Sequence, residues 1–201
     1  KDACDILTKL IRKTGFPCTN TLMGLGCFPA IDKQFIGMLG MHGTYEANLA
    51  MHDSDLIIAV GSRFDDRVTG NLSKFSPRSR KIHIDIDPSS INKNVKVDVA
   101  LIGDVEKIIK VIFSEFQKTN PINNVNNIKK WWLQIENWKK KDCLGYKNIN
   151  YPIKPQYAIE RLYEITKNKD CFVTTGVGQH QMWAAQYYKF NQPNRWMTSG
   201  G

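Results

Sequence analysis

The stretch from Gly37 to Arg67 constrains the fold of this chain more than any other part of its sequence. It is predicted to form a glycine-rich turn, a short helix of small residues, an apolar strand and a densely charged loop, in that order. The apolar run Leu56–Val60 ends at Gly61 and is typical of a strand buried on both faces of a parallel sheet. Ligands of such sheets bind beyond the carboxyl ends of the strands, where the charged loop Arg63–Arg67 falls. The stretch therefore predicts an α/β fold with a ligand site at this edge.

The glycine-rich turn at the start of that stretch is a candidate phosphate site. Gly40 and Gly43 bracket Met41 and His42 just before the predicted helix. Glycines permit a tight turn and a close approach of the backbone to a ligand, and helix N-termini attract anions. We therefore expect a phosphate to bind at this turn.

The rest of the chain repeats the pattern of strand, turn and helix without a fixed period, which favours two α/β units over a solenoid. A polar, asparagine-rich segment at residues 119–127 predicts a linker. Asp104 precedes a helical pattern as a candidate N-cap, and the tryptophans of residues 129–141 are expected to be packing anchors. The predicted helices span residues 2–13, 105–117, 129–141 and 156–166, with a further one starting near 179. The predicted strands span 17–23, 56–60, 82–88, 97–102 and 171–175.

Two aspartates follow the strand near residue 84. Asp85 and Asp87 alternate with apolar residues, so they point the same way and emerge where the strand ends before Pro88. Carboxylates in this position commonly accept hydrogen bonds from the ribose or adenine of a nucleotide. They also occur as plain turn residues. The sequence leaves both interpretations open.

Composition excludes several classes of function. The net charge is +9, but the lysines are scattered and no aromatic-interleaved basic motif accompanies them, so nucleic acid is not an expected partner. Five cysteines without a CxxC pair predict reduced, mostly buried thiols in a reducing compartment. The four histidines lie in unrelated segments and are expected to be structural, although His42 and His180 adjoin glycine turns from which either side chain is placed to donate to a phosphate or a cofactor ring. No secretory signal or membrane span is apparent, so a soluble protein is expected.

Several longer motifs resemble one family. They are TLMGLGCFP from Thr21, MLGMHGTYEANLAMHDSDLIIAVGSRFDDRVTGN from Met38, HIDIDP from His83, and TTGVGQHQMWAAQ from Thr174. Together they resemble the catalytic subunits of acetohydroxyacid synthase, also called acetolactate synthase, within the thiamine-diphosphate-dependent enzymes. The resemblance is nearly continuous along the chain. The start at Lys1 and the WMTSGG ending predict an internal fragment of a longer protein.

The resemblance implies a domain organisation. Residues 1–120 would form most of a central, Rossmann-like FAD domain, whose six-stranded parallel sheet lacks its first strand here. Residues 121–150 would form a linker with an amphipathic helix. Residues 151–201 would begin the domain that binds the pyrophosphate of thiamine diphosphate.

The resemblance also implies the chemistry. Such enzymes join two pyruvates, or pyruvate and 2-oxobutyrate, with loss of carbon dioxide, on the way to valine, leucine and isoleucine. They use thiamine diphosphate and Mg²⁺, and FAD without net redox turnover. The expected partners are further catalytic subunits, as a homodimer or tetramer, and a regulatory small subunit, in the bacterial cytoplasm or the plastid stroma. The activating glutamate and the metal ligands would lie outside this chain, so no catalytic or metal-binding residue is assigned within it, and the chain alone is expected to be inactive.

Individual residues follow from the matched motifs. Flavin contacts are implied for Thr21, Leu22, Met23, Leu39, Gly40, Met41, His42, Gly61, Arg63, Asp65, Arg67, Asp85, Ile86, Asp104 and Val105. Contacts with the thiamine cofactor, or with the region where it meets the flavin, are implied for Gln179, His180, Gln181, Met182, Gly200 and Gly201. A substrate channel would be lined by Met41, Asp66 and Arg67. The alternatives are another FAD-containing enzyme of this type, such as a glyoxylate carboligase or pyruvate oxidase, or a non-catalytic nucleotide-binding module.

Overall fold

The computed structural model describes residues 2–119, 125–149 and 151–200, apart from the side chain of Val125. The helices are α1 (Asp2–Thr14), α2 (Tyr45–Asp53), α3 (Asp66–Thr69), α4 (Val105–Thr119), α5 (Val125–Lys139), α6 (Pro155–Thr166) and α7 (Gln179–Tyr187). The strands are β1 (Cys18–Asn20), β2 (Phe35–Met38), β3 (Leu56–Val60), β4 (Arg80–Asp85), β5 (Val99–Ile102), β6 (Val173–Thr174) and β7 (Trp196–Met197). Short 3₁₀ turns cover Leu22–Gly24, Leu72–Lys74 and Pro88–Ser90.

Every strand pair among the described residues is parallel. β1 pairs with β2, β3 and β5 flank β4, and β6 pairs with β7. Parallel neighbours need a crossover connection, often through a helix, and here α3 lies between β3 and β4 and α7 lies between β6 and β7. The prediction of an α/β fold with parallel sheets is therefore confirmed. The first 119 residues contribute five strands, in a pair and a triplet.

Two hydrophobic clusters hold the first part of the chain together. On one face of the β3–β4–β5 sheet, Leu10 of α1 and Ile109 of α4 pack against Ile84 of β4. Helix α5 covers α2 and β2 through Ile135, which is fully buried. These clusters bury the apolar stripes that the helical spacing predicts.

Helix α5 starts within the segment predicted to be a linker. Residues 120–124 lie outside the described residues, but α5 begins at Val125 rather than at residue 129. Its tryptophans are packing anchors, as predicted: Trp131 and Trp138 form an edge-to-face pair, and Trp132 Nε1 donates to Gly15 O at 2.8 Å. The division of the chain into residues 1–120, 121–150 and 151–201 stays a prediction.

Three expectations about the strands differ from the structure. The predicted strand at 17–23 is only Cys18–Asn20, because Thr21 turns the chain by accepting the Gly24 N–H at its side-chain oxygen. Strands β2 and β7 lie in segments for which no strand was predicted. The third difference concerns β3, whose Leu56 and Ile58 are exposed, so one face of this edge strand is open where burial on both faces was predicted.

The cysteine prediction is half right. All five thiols are free, but Cys143 is exposed and the other four are partly exposed, so the prediction of mostly buried cysteines is wrong. The reason at Cys143 is that it follows α5 in a surface loop, where its sulfur accepts the Tyr45 N–H at 3.2 Å. Within the described ranges, no helix combines the length and apolar character needed to span a bilayer.

Candidate functional site

One edge of the β3–β4–β5 sheet carries four of the predicted flavin-contact residues, Asp85, Ile86, Asp104 and Val105. Parallel strands direct their carboxyl ends the same way, and these strands end at Val60, Asp85 and Ile102. Gly61 and Gly103, the residues that follow β3 and β5, donate their N–H groups to Ile84 O and Asp85 O of β4. The structure thus brings the three turns together, as the strand pattern predicts.

Asp85 sits at the centre of this edge and is nearly buried. Its Oδ1 accepts the Asp87 N–H at 2.9 Å, and its Oδ2 lies 3.6 Å from His83 Nε2. His83 is fully buried, packs edge-to-face against Phe64, and has no hydrogen-bond partner within the described chain. Asp85 Oδ2 therefore keeps acceptor capacity for a ligand.

Asp87 follows the turn interpretation. Its carboxylate accepts the Ser89 N–H at 2.9 Å and the Ser89 hydroxyl at 2.8 Å, and so caps the 3₁₀ turn that begins at Pro88. The Ser89 hydroxyl lowers the pKa of this carboxyl because its hydrogen bond favours the charged form. Of the two aspartates, only Asp85 remains a candidate for contact with a nucleotide.

The other residues of this edge take separate roles. Asp104 caps α4 by accepting the Lys107 N–H at 3.0 Å, which confirms the N-cap prediction. Val105 packs into the cluster beneath α4, so its side chain serves the core. Ile86 is 68 % exposed and offers an apolar surface beside Asp85.

The charged loop after β3 presents two arginines to solvent. Asp65 caps α3 by accepting the Arg67 N–H at 3.1 Å, which fixes the direction of the loop. Arg63 Nε lies 3.5 Å from Asp65 Oδ2, and Arg67 lies 4.0 Å from the exposed Asp66. Exposed ion pairs at these distances are weak, so both guanidinium groups remain able to bind an anion.

The loops after β1 and β2 form a second part of the site. After β1, Met23 is 55 % exposed, whereas Leu22 packs against the core. After β2, Leu39 is buried in the cluster under α5, whereas Met41 and His42 are exposed. Met41 N donates to Arg67 O at 2.8 Å, so this loop lies directly against the charged loop after β3.

Three different elements fix the loop Gly40–His42. Asn48 of α2 binds both backbone groups of Gly40, Arg67 at α3 accepts the Met41 N–H, and Gln186 of α7 donates to His42 O at 2.9 Å. Asn48 and Gln186 were not among the predicted residues. Gln186 lies 144 positions from His42, and no local pattern could have revealed that contact.

These bonds argue against the phosphate interpretation of the glycine turn. The N–H groups of Gly40, Met41, Gly43 and Thr44 are all used by Asn48, Arg67 O, Gly40 O and Met38 O. An anion site needs N–H groups that point at the ligand. The His42 N–H alone in this turn has no partner among the described residues.

The turn before α7 offers the missing open amides. Gly178 precedes the helix without a side-chain cap, and the N–H groups of Gln179 and His180 have no partner in the described part of the chain. The His180 ring folds back over the turn, since a Cβ at Gly178 would lie 3.0 Å from its Cε1. This helix start therefore has the donors that an anionic group requires.

Gln181 ties α7 to the segment after β7. Its side chain is buried, and Nε2 donates to Thr198 Oγ1 at 2.7 Å and to Ser199 O at 2.9 Å. The next residue, Gly200, lies against Met23, whose Cγ would be 3.2 Å from a Cβ at that position. Met182 is half-buried. Gly201 lies outside the described residues.

The predicted residues thus form a continuous set of loops at the carboxyl ends of parallel strands. The Gly200–Met23 contact and the Gln186–His42 bond join the two parts of the chain. The described residues contain no group of three potential metal ligands.

Comparison with known proteins identifies the family. The description "Thiamine pyrophosphate enzyme, central domain" matches residues 1–112, and "Thiamine pyrophosphate enzyme, C-terminal TPP binding domain" matches residues 176–201. The chain is 47 % identical to the acetolactate synthase isozyme 3 large subunit of Escherichia coli over 195 residues, which are 97 % of this chain and 34 % of that protein.

Two further relatives agree. The acetolactate synthase large subunit of Haemophilus influenzae is 45 % identical over 97 % of this chain and 34 % of its own length. Acetolactate synthase 1, chloroplastic, of Oryza sativa is 44 % identical over 98 % of this chain and 30 % of its own length. The chain thus spans about a third of the length of these relatives. The central domain of one family matches more than half of this chain, and the chain therefore belongs to the thiamine pyrophosphate enzyme family.

Proposed function

We propose that this chain forms the flavin-binding part, and the start of the thiamine diphosphate-binding part, of an acetolactate synthase catalytic subunit. The proposed reaction joins two pyruvates, or pyruvate and 2-oxobutyrate, with release of carbon dioxide. The observation that carries the proposal is the meeting of the loops after β1, β2, β3 and β7 at one place, in a chain whose relatives above are all named acetolactate synthase. That shared name disfavours the glyoxylate carboligase, pyruvate oxidase and non-catalytic alternatives.

The residues of the sheet edge fit FAD. Arg63 and Arg67 supply exposed cations for a pyrophosphate, and Asp85 Oδ2 is an acceptor for an adenosine hydroxyl or amine. Gly61 leaves room for such a ligand, since a Cβ there would meet nothing within 4 Å. The exposed side chains of Met23 and Met41 offer apolar contact for a ring system.

The start of α7 fits the diphosphate of the thiamine cofactor. The open N–H groups of Gln179 and His180, and the ring of His180, are donors that would orient the phosphates. When bound, thiamine diphosphate supplies the carbanion chemistry that such decarboxylations require. The magnesium ligands and the activating glutamate would lie outside this chain. The 201 residues alone would therefore form no acetolactate.

We also propose the partners and the compartment. Assembly with further catalytic subunits and a regulatory subunit is supported by the exposed apolar side chains Ile165, Phe172 and Val177 around α6 and β6. Exposed apolar side chains mark an interface where they form a contiguous patch. The compartment would be the bacterial cytoplasm or the plastid stroma, because the relatives include bacterial and chloroplastic proteins.

The test is made on the complete gene product that contains this chain. With pyruvate, thiamine diphosphate, Mg²⁺ and FAD it should form acetolactate, measured colorimetrically. The Arg63→Ala variant should weaken FAD binding by about tenfold or more in a fluorescence-quenching titration, since hydrogen bonds to charged groups contribute about 1.5–3 kcal/mol.

The matched control is Arg78→Ala, because Arg78 is also exposed but precedes β4 at the opposite edge of the sheet and pairs with Asp53. It should bind FAD as the unmodified protein does. Absence of acetolactate would refute the reaction, and equal FAD affinity in both variants would refute the role of Arg63.

A further inference from the structure

Asn48 makes two hydrogen bonds that local helix structure does not require. Its Oδ1 accepts the Gly40 N–H at 2.9 Å, and its Nδ2 donates to Gly40 O at 2.9 Å. One planar amide therefore satisfies both backbone groups of a single residue. Helix α2 does not depend on this side chain, because Thr44 caps the helix by accepting the Ala47 N–H and asparagine is a weak helix former.

The peptide that Asn48 holds is under conformational constraint. Gly40 has a φ of +100°, and a Cβ at this position would lie 2.6 Å from Arg67 O. The next N–H group, that of Met41, donates to the same Arg67 oxygen at 2.8 Å. The orientation of the Gly40 peptide therefore decides whether the loop after β2 closes onto the loop after β3.

We infer that Asn48 is a positioning residue for the flavin groove, by which we mean the proposed cofactor site between the loops Gly40–His42 and Arg63–Arg67; the inference rests on the proposed function. It touches no cofactor itself. By fixing both sides of Gly40, it keeps Met41 and His42 directed outward and keeps the Met41 N–H on Arg67 O. The wall of the groove is then preformed, so a bound flavin need not order it.

The chemistry of the contact explains why the residue is asparagine. The contact needs one acceptor and one donor side by side in a fixed plane, and the amide side chain of asparagine supplies both. Aspartate retains the acceptor for the Gly40 N–H but sets a carboxylate oxygen against Gly40 O. An aspartate near the N-terminus of α2 also interacts favourably with the helix dipole, which offsets its effect on overall stability.

The experiment compares Asn48→Asp and Asn48→Ala with Asn191→Ala in the complete gene product. Asn191 is the matched control, because it also bonds to a backbone group, accepting the Ile31 N–H at 3.1 Å, but contacts none of the predicted site residues by a hydrogen bond. Amide hydrogen exchange of Gly40 and Met41 measures how often these two hydrogen bonds open, independently of function. FAD fluorescence quenching measures the effect on the groove, and urea unfolding reports global stability.

Asn48→Ala, which loses both hydrogen bonds to Gly40, should exchange the Gly40 and Met41 amides at least about tenfold faster and bind FAD about tenfold more weakly. Asn48→Asp keeps the acceptor for the Gly40 N–H, so it should change both quantities in the same direction by a smaller factor. The urea midpoint of Asn48→Asp should stay close to that of Asn191→Ala. Unchanged exchange at Gly40 and Met41 would overturn the inference, as would faster exchange with unchanged FAD affinity. Absence of FAD binding by the unmodified protein would instead refute the proposed function, and faster exchange would then still support the anchoring of the loop by Asn48.

Discussion

Replacement of Gly40 by alanine tests the geometry of the site most directly. The φ of +100° lies in a region that residues with a Cβ rarely adopt, which costs about 1–3 kcal/mol. The new Cβ would also lie 2.6 Å from Arg67 O, so that carbonyl must move away from the Met41 N–H that it accepts. Loss of that hydrogen bond adds about 0.5–1.5 kcal/mol. We expect the free energy of unfolding to fall by about 2–4 kcal/mol.

Gly61→Ala separates the cost of a positive φ from the cost of a steric clash by the new Cβ. Gly61 also has a positive φ, of +61°, but a Cβ there would meet nothing within 4 Å. Its cost is therefore the left-handed conformation alone, about 1–2 kcal/mol. The two variants share the same chemical change at the two walls of the proposed flavin groove.

The assay is urea unfolding followed by tryptophan fluorescence, with FAD quenching measured on the same samples. Gly40→Ala should lower the unfolding midpoint clearly further than Gly61→Ala, and it should weaken FAD binding because the loop after β2 is displaced. Equal midpoints in the two variants would refute the argument that the loops after β2 and β3 are in contact through Arg67 O.

Three further outcomes are expected. Ile135→Ala should lower the free energy of unfolding by about 2–5 kcal/mol, because Ile135 is fully buried. Leu133→Ala, at a 71 % exposed position of the same helix, should change the free energy of unfolding by less than about 0.5 kcal/mol. Equal urea midpoints in the two variants would show that α5 is not packed against the rest of the protein. Asp104→Ala should lower the stability of the protein by about 1 kcal/mol in thermal unfolding, because the N-cap of α4 is lost. Asp104→Asn should keep the original stability, since the asparagine side-chain oxygen can also accept the Lys107 N–H. A hydrogen bond from the Cys27 thiol to the Cys4 thiolate lowers the pKa of Cys4 to about 7, so the rate of Cys4 alkylation should reach half its maximum near that pH. In Cys27→Ala the half-maximal rate should move to a higher pH. An unchanged pH of half-maximal alkylation in the variant would contradict the hydrogen bond between the two cysteines.

The sequence was most informative where function depends on strand direction. Leu56–Val60 is the strand that its apolar run predicts, and Gly61 ends it. Because parallel strands share a carboxyl edge, the strand pattern predicted that Arg63 and Asp85 lie at the same edge, whereas Asp104 was assigned to the site by the family resemblance. The capping role of Asp104 followed from its place before a helical stripe.

The contacts that fix the loops were not predictable in the same way. Strand β2 lies between a turn and a glycine, and its short run FIGM carries too few residues for a period to show. The phosphate interpretation of Gly40–Gly43 failed because the sequence does not reveal that Asn48 and Arg67 already occupy the amides. Bonds between side chain and backbone leave no periodic trace, and His83 shows the same limit, since its burial beside Phe64 depends on how the loop folds over the sheet.

Helix α7 gives the two proposed cofactor sites a fixed separation. Its first residues carry the open amides of the proposed diphosphate site, and Gln186 near its end donates to His42 O in the proposed flavin wall. From Gln179 to Gln186 the helix rises about 10 Å, at about 1.5 Å per residue. Alanines 184 and 185 of the same helix pack against Met38 of β2 and Leu25, so the helix lies directly on the sheet that bears the flavin loop. Because this helix is bonded near one end to the proposed flavin loop and has open amides at the other, it would set the distance between the two proposed cofactor sites.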